Sequence, residues 1–435
     1  MGKLLRLLFI LLGILLVVGV VVQFQFPLLV ARKRLPLPTP TLSVPAALAA
    51  APTPTRLPAR SNGAAVFLIP DSELVYGPAY QDFFQDAASA HFGLVAPYHE
   101  RVEDEIMTGP DIIRLVAERY SVGPRVLLTL LEMKYGWVSG GTGYAGNGRS
   151  ALYEEASQIA DRLDEGYYGR VSGSLFTLQF ADGRQAPLDD HQNPGTAALY
   201  YFFAKESRQT EWANRVGSAG FDAVYRGLFG DPFAHAVDPL IAGEVVQPPL
   251  HLPWADGHTW FYTGGPHGGY TTATGRAAID LAPQGGSAPC APAPDWATAA
   301  APGRVVEFEH GRLMLNLSNQ SFQGTGWTLM YLHIATPEHI VAGIEVKQGE
   351  RLGHPSCEGG VATGSHIHFA RLYNGQWIPA DDARRPMVLS GWVVNSFTSL
   401  YEGTMIRGWD WRIASSGHIP SINGILADDG PATGK

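Results

Sequence analysis

The hydrophobic pattern of this chain changes near residue 244, and this change constrains the fold more than any other feature. Before it, from residue 63 to 243, apolar residues recur at helical spacing, as in Asp111–Tyr120 and Gly195–Lys205. After it, short segments rich in Val, Ile, Tyr and Trp alternate with Gly and Pro turns, as in Gly303–Phe308 and Trp327–His333. We therefore predict an α+β multidomain protein, with a mainly α domain followed by an antiparallel β domain.

The front of the chain carries a localisation signal. Two cations, Lys3 and Arg6, precede an apolar run that starts at Leu7 and extends as far as Val30. This length suits a bilayer span better than the core of a signal peptide. We predict a transmembrane anchor or signal segment at residues 1–30. The rest of the chain would then be extracytoplasmic, either membrane-anchored through the N-terminal helix or secreted if the segment is cleaved.

The remaining domain boundaries follow from composition. Residues 31–62 are rich in Pro, Ala and Thr and are predicted to be an extended linker. A helical domain is predicted at residues 63–243, a β domain at residues 244–390, and a partly disordered C-terminal extension at residues 391–435. The sequence specifies no oligomeric state.

Charge and motifs exclude several classes of function. The net charge is −9 with 16% charged residues, and no basic stripe is present, so we expect no nucleic-acid partner. A dinucleotide-binding glycine motif, a phosphate-binding loop and a serine-nucleophile elbow are each absent from a usable context. Nucleotide-dependent enzymes and serine hydrolases are therefore disfavoured.

The chain has two cysteines, Cys290 and Cys357. In an extracytoplasmic chain such a pair favours one disulfide, which would close a long loop and contribute on the order of 4 kcal/mol. The alternative, in which the cysteines are zinc ligands, is weaker because no second cysteine pair exists.

A His-x-His pair, His366 and His368, lies in the C-terminal half. Alternate side chains of a strand point to the same face, so the two imidazoles can face one metal ion or one substrate. A catalytic zinc takes three protein ligands from His, Asp or Glu and leaves one position for water. The helical H-E-x-x-H motif is absent, so the ligands must come from separate segments.

Three further candidates lie in the same half: His267 in a Gly-rich segment, Asp280 in an apolar strand, and His333 after a strand. A carboxylate inside an apolar strand is costly unless it is paired or binds a cation. Taken singly, Asp280 fits a paired strand-end residue equally well, and His333 fits a packed core histidine better. Because these residues and the His-x-His pair fall within about 100 residues of one β domain, a shared site is favoured.

These residues resemble the beta-lytic, staphylolysin-like branch of the lysostaphin-type zinc metalloendopeptidases. The resemblance covers Leu252–Ala380. It includes the thirteen-residue step from His267 to Asp280, the Tyr-x-His of Tyr331–His333, and the Cys-Glu-Gly-Gly and His-x-His-Phe segments of Cys357–Phe369. It implies a lysostaphin-type β peptidase fold.

The resemblance also implies roles for individual residues. His267, Asp280 and His368 would be the Zn²⁺ ligands, while His333 and His366 would orient the attacking water and stabilise the oxyanion. The commoner lysostaphin-type pattern has a histidine four residues before the aspartate. Arg276 occupies that place here, an alignment under which the site would be inactive.

The cysteines depart from the family pattern in one respect. Cys357 matches the family's cysteine before Glu-Gly-Gly, whereas Cys290 lies in the loop after Asp280 and not on the later strand. We still predict a Cys290–Cys357 disulfide.

The helical half shows a weaker likeness. Val122–Leu131 running into Gly136-Trp137, together with Asn193–Tyr200, resembles soluble lytic transglycosylases of the lysozyme superfamily. The alignment puts Lys134 where those enzymes carry the catalytic acid, and a lysine cannot protonate a glycosidic oxygen in that role at neutral pH. Glu132, two residues earlier, lies on the wrong helix face and is interpreted as a solvated or paired carboxylate. The domain is predicted to be non-catalytic, and to bind glycan or act as a spacer.

Together these observations predict an extracytoplasmic zinc endopeptidase that hydrolyses peptide bonds in peptidoglycan cross-links or stem peptides. Two alternatives stay open. The peptidase fold could be inactive and serve as a wall-binding or activator module. Otherwise the helical half could be a muramidase-like lyase with the β domain as its anchor.

Overall fold

The computed structural model describes residues 67–86, 91–145, 150–285, 289–335 and 340–428. The predicted N-terminal segment and linker, residues 1–62, lie outside these ranges. No helix within the described ranges is long and apolar enough to cross a bilayer. All of the described residues belong to one compact unit.

Helices dominate the described residues between 67 and 229. In chain order the α-helices of the described residues are α1 (Asp71–Leu74), α2 (Phe83–Asp86), α3 (Gly109–Tyr120), α4 (Pro124–Tyr135), α5 (Leu152–Val171), α6 (Pro194–Glu206), α7 (Gln209–Val216), α8 (Phe221–Phe229) and α9 (Pro420–Asn423). Short 3-10 helices lie at Pro78–Tyr80 and Gly93–Val95.

The helix boundaries have local causes. The side chain of Thr108 accepts a hydrogen bond from the backbone N–H of Asp111 and caps α3. Helix α4 has Pro124 in its first turn and ends at Gly136, which adopts the left-handed conformation (φ 65°) that a glycine tolerates best.

Strands dominate the described residues after 229. The described strands are β1 (His99–Val102), β2 (Glu105–Thr108), β3 (Thr177–Gln179), β4 (Gln185–Pro187), β5 (Thr259–His267), β6 (Ala278–Pro283), β7 (Ala297–Thr298), β8 (Gly303–Glu309), β9 (Arg312–Asn316), β10 (Trp327–Leu332), β11 (Ile334–Ala335), β12 (Glu345–Val346), β13 (Arg351–Pro355), β14 (Ile367–Tyr373), β15 (Gln376–Trp377), β16 (Val388–Leu389), β17 (Trp392–Ser396), β18 (Gly403–Arg407), β19 (Asp410–Ile413) and β20 (Gly424–Leu426).

The main sheet of the described residues is antiparallel and runs in the order β12-β8-β9-β10-β14-β6-β5-β20, with β15 paired to β14. Smaller sheets are formed by β11-β13-β7 and by β16-β17-β18-β19. The predicted α+β class, with an antiparallel β region after a mainly helical one, is confirmed.

Both faces of the main sheet are buried, and side-chain alternation assigns them to two cores. On β14, Ala370 and Leu372 pack into the core of the helical region, whereas Ile367 and Phe369 pack into the core on the opposite face. His368 is two residues before Ala370 on the same strand, so its side chain points to the same face of the sheet, which the helical region covers. The helical and β regions therefore share a hydrophobic core.

The C-terminal extension is structured as far as Asp428. Trp392, Val394 and Met405 are each at most 2% exposed and pack into the core of the β region, and β20 adds an edge strand to the main sheet beside β5. The disorder predicted for part of this extension concerns the end of the chain, and residues 429–435 lie outside the described residues.

Candidate metal centre

Three neighbouring strands of the main sheet carry the predicted metal ligands. His267 is the last residue of β5, Asp280 lies within β6, and His368 lies within β14. Asp280 and His368 are directly opposite each other in the β6–β14 ladder, so their side chains share one face. The β5–β6 register shifts on either side of Gly264, and this irregularity places His267 beside them.

The ligand atoms of these three side chains converge. Nε2 of His267 lies 3.3 Å from Oδ1 of Asp280, and Nδ1 of His368 lies 3.4 Å from the same oxygen. The two imidazole nitrogens are 2.9 Å apart. Both histidines are buried, at 3% and 7% exposure. The three side chains form a His/Asp/His group whose donor atoms all lie within 4.8 Å of one another.

The outer hydrogen bonds of the two histidines fix where their protons are. Nδ1 of His267 donates to the carbonyl oxygen of Gly265 (2.8 Å), and Nε2 of His368 donates to that of Gly269 (2.8 Å). A neutral imidazole has one N–H, so the inward nitrogens present lone pairs to each other and to the carboxylate. Carbonyl partners of this kind orient metal-binding histidines.

Asp280 is the anionic member of this group. Its Oδ1 is buried and accepts no hydrogen bond from any described residue. A buried carboxylate oxygen facing two nitrogen lone pairs is stable only with a cation among them. The donor set of two imidazoles and one carboxylate therefore fits Zn²⁺.

The other two predicted site histidines flank this group. His366 has Nε2 3.6 Å from Oδ1 of Asp280, while its Nδ1 donates to the carbonyl of Gly364. His333 follows β10 in the left-handed conformation (φ 68°), and its ring centroid is 4.7 Å from that of His366. Burial and then the neighbouring His366 lower the pKa of His333 to about 4, so it is neutral at pH 7.

The disulfide fixes the segment that orients His333. Cys290 and Cys357 are joined (S–S 2.11 Å), which confirms the predicted pairing. The next residue, Glu358, accepts a hydrogen bond from Nδ1 of His333 through its backbone carbonyl (2.8 Å). The carbonyls of Glu358, Gly265 and Gly269 were not predicted, because a sequence motif gives no signal for a backbone acceptor.

A groove of about 750 Å³ opens beside the centre. Asp280, His366, Tyr401 and His418 are among the residues that line it. The Tyr401 ring stacks on the His267 ring with centroids 4.1 Å apart. The sequence analysis did not predict Tyr401 or His418 as site residues, because both belong to the C-terminal extension. The one sequence signal at each position is an aromatic residue next to a turn.

The carboxylate and lysine singled out in the helical region have local partners. Glu132 accepts hydrogen bonds from the backbone N–H groups of Val138 and Ser139 (2.8 and 2.9 Å) and from the Ser139 hydroxyl, so it stabilises the turn after α4. Lys134 is paired with Glu206. Neither arrangement resembles a general acid held ready for a substrate.

A second cavity, of about 530 Å³, lies in the helical region and is lined by residues between Pro78 and Val237. Arg125 and His91 are among its lining residues. Arg125 is paired with the buried Glu73 through two hydrogen bonds of 2.7 and 2.8 Å. This cavity therefore has a structural ion pair in its wall and no cluster of metal-binding side chains among the described residues.

Comparisons with known proteins identify relatives of this chain. Residues 67–240 match the family model described as LasA, N-terminal domain. Protease LasA from Pseudomonas aeruginosa, in strains UCBPP-PA14 and PAO1, is 27% identical over 294 residues, which is 61% of this chain and 66% of the relative. The chain is similar to LasA. The predicted resemblance to lysostaphin-type zinc peptidases is confirmed.

Solved structures of two M23 and lysostaphin-type peptidases are also similar. The M23 metalloprotease pseudoalterin from the deep sea is 24% identical, with 39% of this chain and 96% of that chain covered and a TM-score of 0.31. The catalytic domain of lysostaphin from Staphylococcus simulans is 18% identical, with 29% and 92% covered and a TM-score of 0.20. With TM-scores this low, neither likeness supports a functional conclusion.

The comparisons bear differently on the two halves. The curated relatives are proteases, and this chain spans about two thirds (66%) of their length. The helical region matches a LasA domain, so its lysozyme-like resemblance stays unconfirmed. The roles of His267, Asp280, His333, His366 and His368 are not decided by these comparisons and are proposed below.

Proposed function

We propose that this chain is an extracytoplasmic zinc endopeptidase that hydrolyses peptide bonds in peptidoglycan cross-links or stem peptides. The observation that carries the proposal is the convergence of two imidazole lone pairs and a buried carboxylate oxygen at the edge of an open groove. A carboxylate without a hydrogen-bond donor has no stabilising role in the fold, whereas it is a good ligand for a divalent cation.

In this proposal His267, Asp280 and His368 hold the metal. When bound, Zn²⁺ supplies Lewis acidity: it brings the pKa of a bound water towards neutrality and polarises a carbonyl group. The carbonyls of Gly265 and Gly269 keep the metal-facing nitrogens of the two histidines unprotonated.

His333 and His366 handle the proton. In each ring Nδ1 donates to a backbone carbonyl, so Nε2 is the free acceptor. A neutral Nε2 can take a proton from the attacking water, and the resulting N–H can deliver it to the leaving amine or stabilise an oxyanion. Because burial keeps the pKa of His333 at about 4, this residue is in the accepting form at neutral pH.

Two further observations support the location and the substrate. A disulfide persists in oxidising, extracytoplasmic compartments and is rare in the cytosol. The choice of peptidoglycan rests on the resemblance to the beta-lytic peptidases over Leu252–Ala380. The inactive-module alternative gains no support, because every residue of the proposed site is present and converges.

The test is a digest of purified peptidoglycan with the full chain, in which newly exposed amines and newly formed glycan ends, both reducing and 1,6-anhydro, are counted separately. An endopeptidase releases amines without new glycan ends. New glycan ends without amines would instead point to glycan cleavage by the helical region, and 1,6-anhydro ends would identify a lyase. If no new amine or glycan end forms while the protein still binds the wall, the inactive-module alternative is correct.

A further inference from the structure

The sheet formed by β16–β19 has one face in the core and one in solvent. Trp392 and Met405 point inwards, whereas Ile406 on β18 and Trp411 on β19 are 39% and 56% exposed. Ile406 and Trp411 are direct partners in the β18–β19 ladder. Side chains opposite each other on one face of a sheet lie about 5 Å apart, so the two form a continuous apolar surface.

Further exposed rings lie in the segments at both ends of β18. Trp409, in the turn between β18 and β19, is 97% exposed. Phe397 and Tyr401, in the loop between β17 and β18, are 47% and 51% exposed. We call the exposed residues Phe397, Tyr401, Ile406, Trp409 and Trp411 the aromatic strip. A set of large exposed apolar side chains contributes little to folding and marks an interaction surface.

The aromatic strip begins at the metal centre. The backbone N–H of Gly265 donates to the carbonyl of Tyr401 (2.7 Å), and the N–H of Tyr401 donates to that of Pro266 (3.3 Å). The Tyr401 ring lines the groove together with Asp280. From this end β18 runs over its five residues, or about 13 Å, to the turn that carries Trp409.

The charges beside the strip argue against an anionic partner. Arg407 and Arg412 are the basic residues of β17–β19. Arg407 is paired with Asp428 (2.6 and 2.8 Å), and Arg412 donates to the backbone carbonyls of Gly424 and Trp411. Both guanidinium groups also lie over the inward-facing ring of Trp392. Because both cations are engaged within the protein, the strip offers little attraction to anionic lipid head groups.

A neutral pyranose chain fits these properties. The C–H face of a pyranose ring is apolar and stacks on an indole or phenol ring, while its hydroxyl and N-acetyl groups stay hydrated at the edge. We propose that the aromatic strip binds the N-acetylated sugar strand of peptidoglycan and so presents the attached peptide to the groove. This inference rests on the proposed function and specifies how the polymer is held.

The experiment measures binding of the full chain, freed of metal with a chelator, to glycan strands from which the stem peptides have been removed. The double variant Trp409→Ala/Trp411→Ala should bind these strands about tenfold or more weakly than the wild type, because two stacking surfaces are lost. The matched control is Phe176→Ala, which removes a 62% exposed ring from the helical region and should leave binding unchanged.

Three outcomes would overturn the inference. In the first, the double variant and the wild type bind stripped glycan equally well. In the other two, the double variant loses only its binding to phosphatidylcholine vesicles or only its self-association.

Cleavage of a short, sugar-free cross-link peptide separates this inference from the proposed function. The double variant should cleave that peptide at the wild-type rate. If neither protein cleaves it, the proposed function fails while the result on glycan binding still stands.

Discussion

The helical and β regions each bury a carboxylate among polar side chains, but the two carboxylates differ in the hydrogen-bond donors around them. In the helical region Glu73 is 1% exposed and accepts hydrogen bonds from Arg125 and from the hydroxyls of Tyr80 and Tyr225. In the β region Asp280 Oδ1 faces nitrogen lone pairs and has no donor among the described residues. A satisfied network stabilises a fold, whereas a carboxylate left without donors indicates a site for a cation.

The same two regions are nevertheless one packed body. The indole N–H of Trp377 donates to the carbonyl of Tyr120 (3.2 Å), and the backbone N–H of Trp377 donates to the hydroxyl of Tyr168 (3.0 Å). Thr271, in the loop that follows His267, donates to Asp161 on α5 (2.5 Å). Stability is therefore shared between the two regions, whereas the chemistry that we propose lies in the β region.

The largest expected effect separates the chemistry of the two regions. Asp280→Ala removes the anionic metal ligand and should lower peptide cleavage by about 1,000-fold or more, because an open zinc site needs all three ligands. Its control in the helical region, Glu132→Gln, keeps the shape of the turn and should stay within about twofold of the wild type by the same assay. A large loss with Glu132→Gln would move the chemistry into the helical region.

A smaller loss is expected within the β region itself. His333→Ala removes a proton acceptor but no metal ligand, so kcat should fall roughly 100- to 10,000-fold while the zinc content is unchanged. Steady-state kinetics and metal analysis on the same preparation check this. Loss of zinc together with activity would instead make His333 a ligand.

The shared core can be tested through Trp377, which is fully buried at the contact between the regions. Trp377→Ala should lower the free energy of unfolding by about 3–5 kcal/mol, the usual cost of truncating a buried tryptophan. Denaturant unfolding should remain a single transition when followed by both helix and strand signals. Two separate transitions in the wild type would show that the regions fold independently. The exposed Trp409→Ala is the control and should have little effect.

The mildest test is the pH dependence of cleavage. His333 must be neutral to accept a proton, and burial followed by the charge of His366 lowers its pKa to about 4. As pH falls, kcat/KM should therefore stay level through pH 6.5 and reach half its plateau near pH 4. Zinc content measured over the same range controls for metal loss. A midpoint near 6.5, the ordinary histidine value, that persists in His366→Ala, in which His333 is the remaining proton acceptor, would contradict the assigned role of His333.

Much of this site could be predicted because its residues carry strong local signals. His366 and His368 share a face through strand alternation, and Asp280 stands out as a carboxylate in an apolar strand. The disulfide partner of Cys357 was predictable because Cys290 is the only other cysteine.

Other features could not be read from the sequence. Tyr401 reaches the metal centre through long-range pairing of its loop with β5, and the ordered strands after residue 391 depend on burial of Trp392 and Met405. Contacts between the regions, such as that of Thr271 with Asp161, are likewise tertiary. Local composition therefore does not predict the strands of the extension, because packing partners distant in the chain decide their structure.

The most direct measurement is the zinc content of the purified chain, compared with that of His368→Ala after both are dialysed against the same zinc-buffered solution. The account predicts about one zinc per wild-type chain, bound by His267, Asp280 and His368, and almost none in the variant. Wild-type protein that binds no zinc, or a variant that retains it fully, would contradict the central claim that these three side chains form a metal centre.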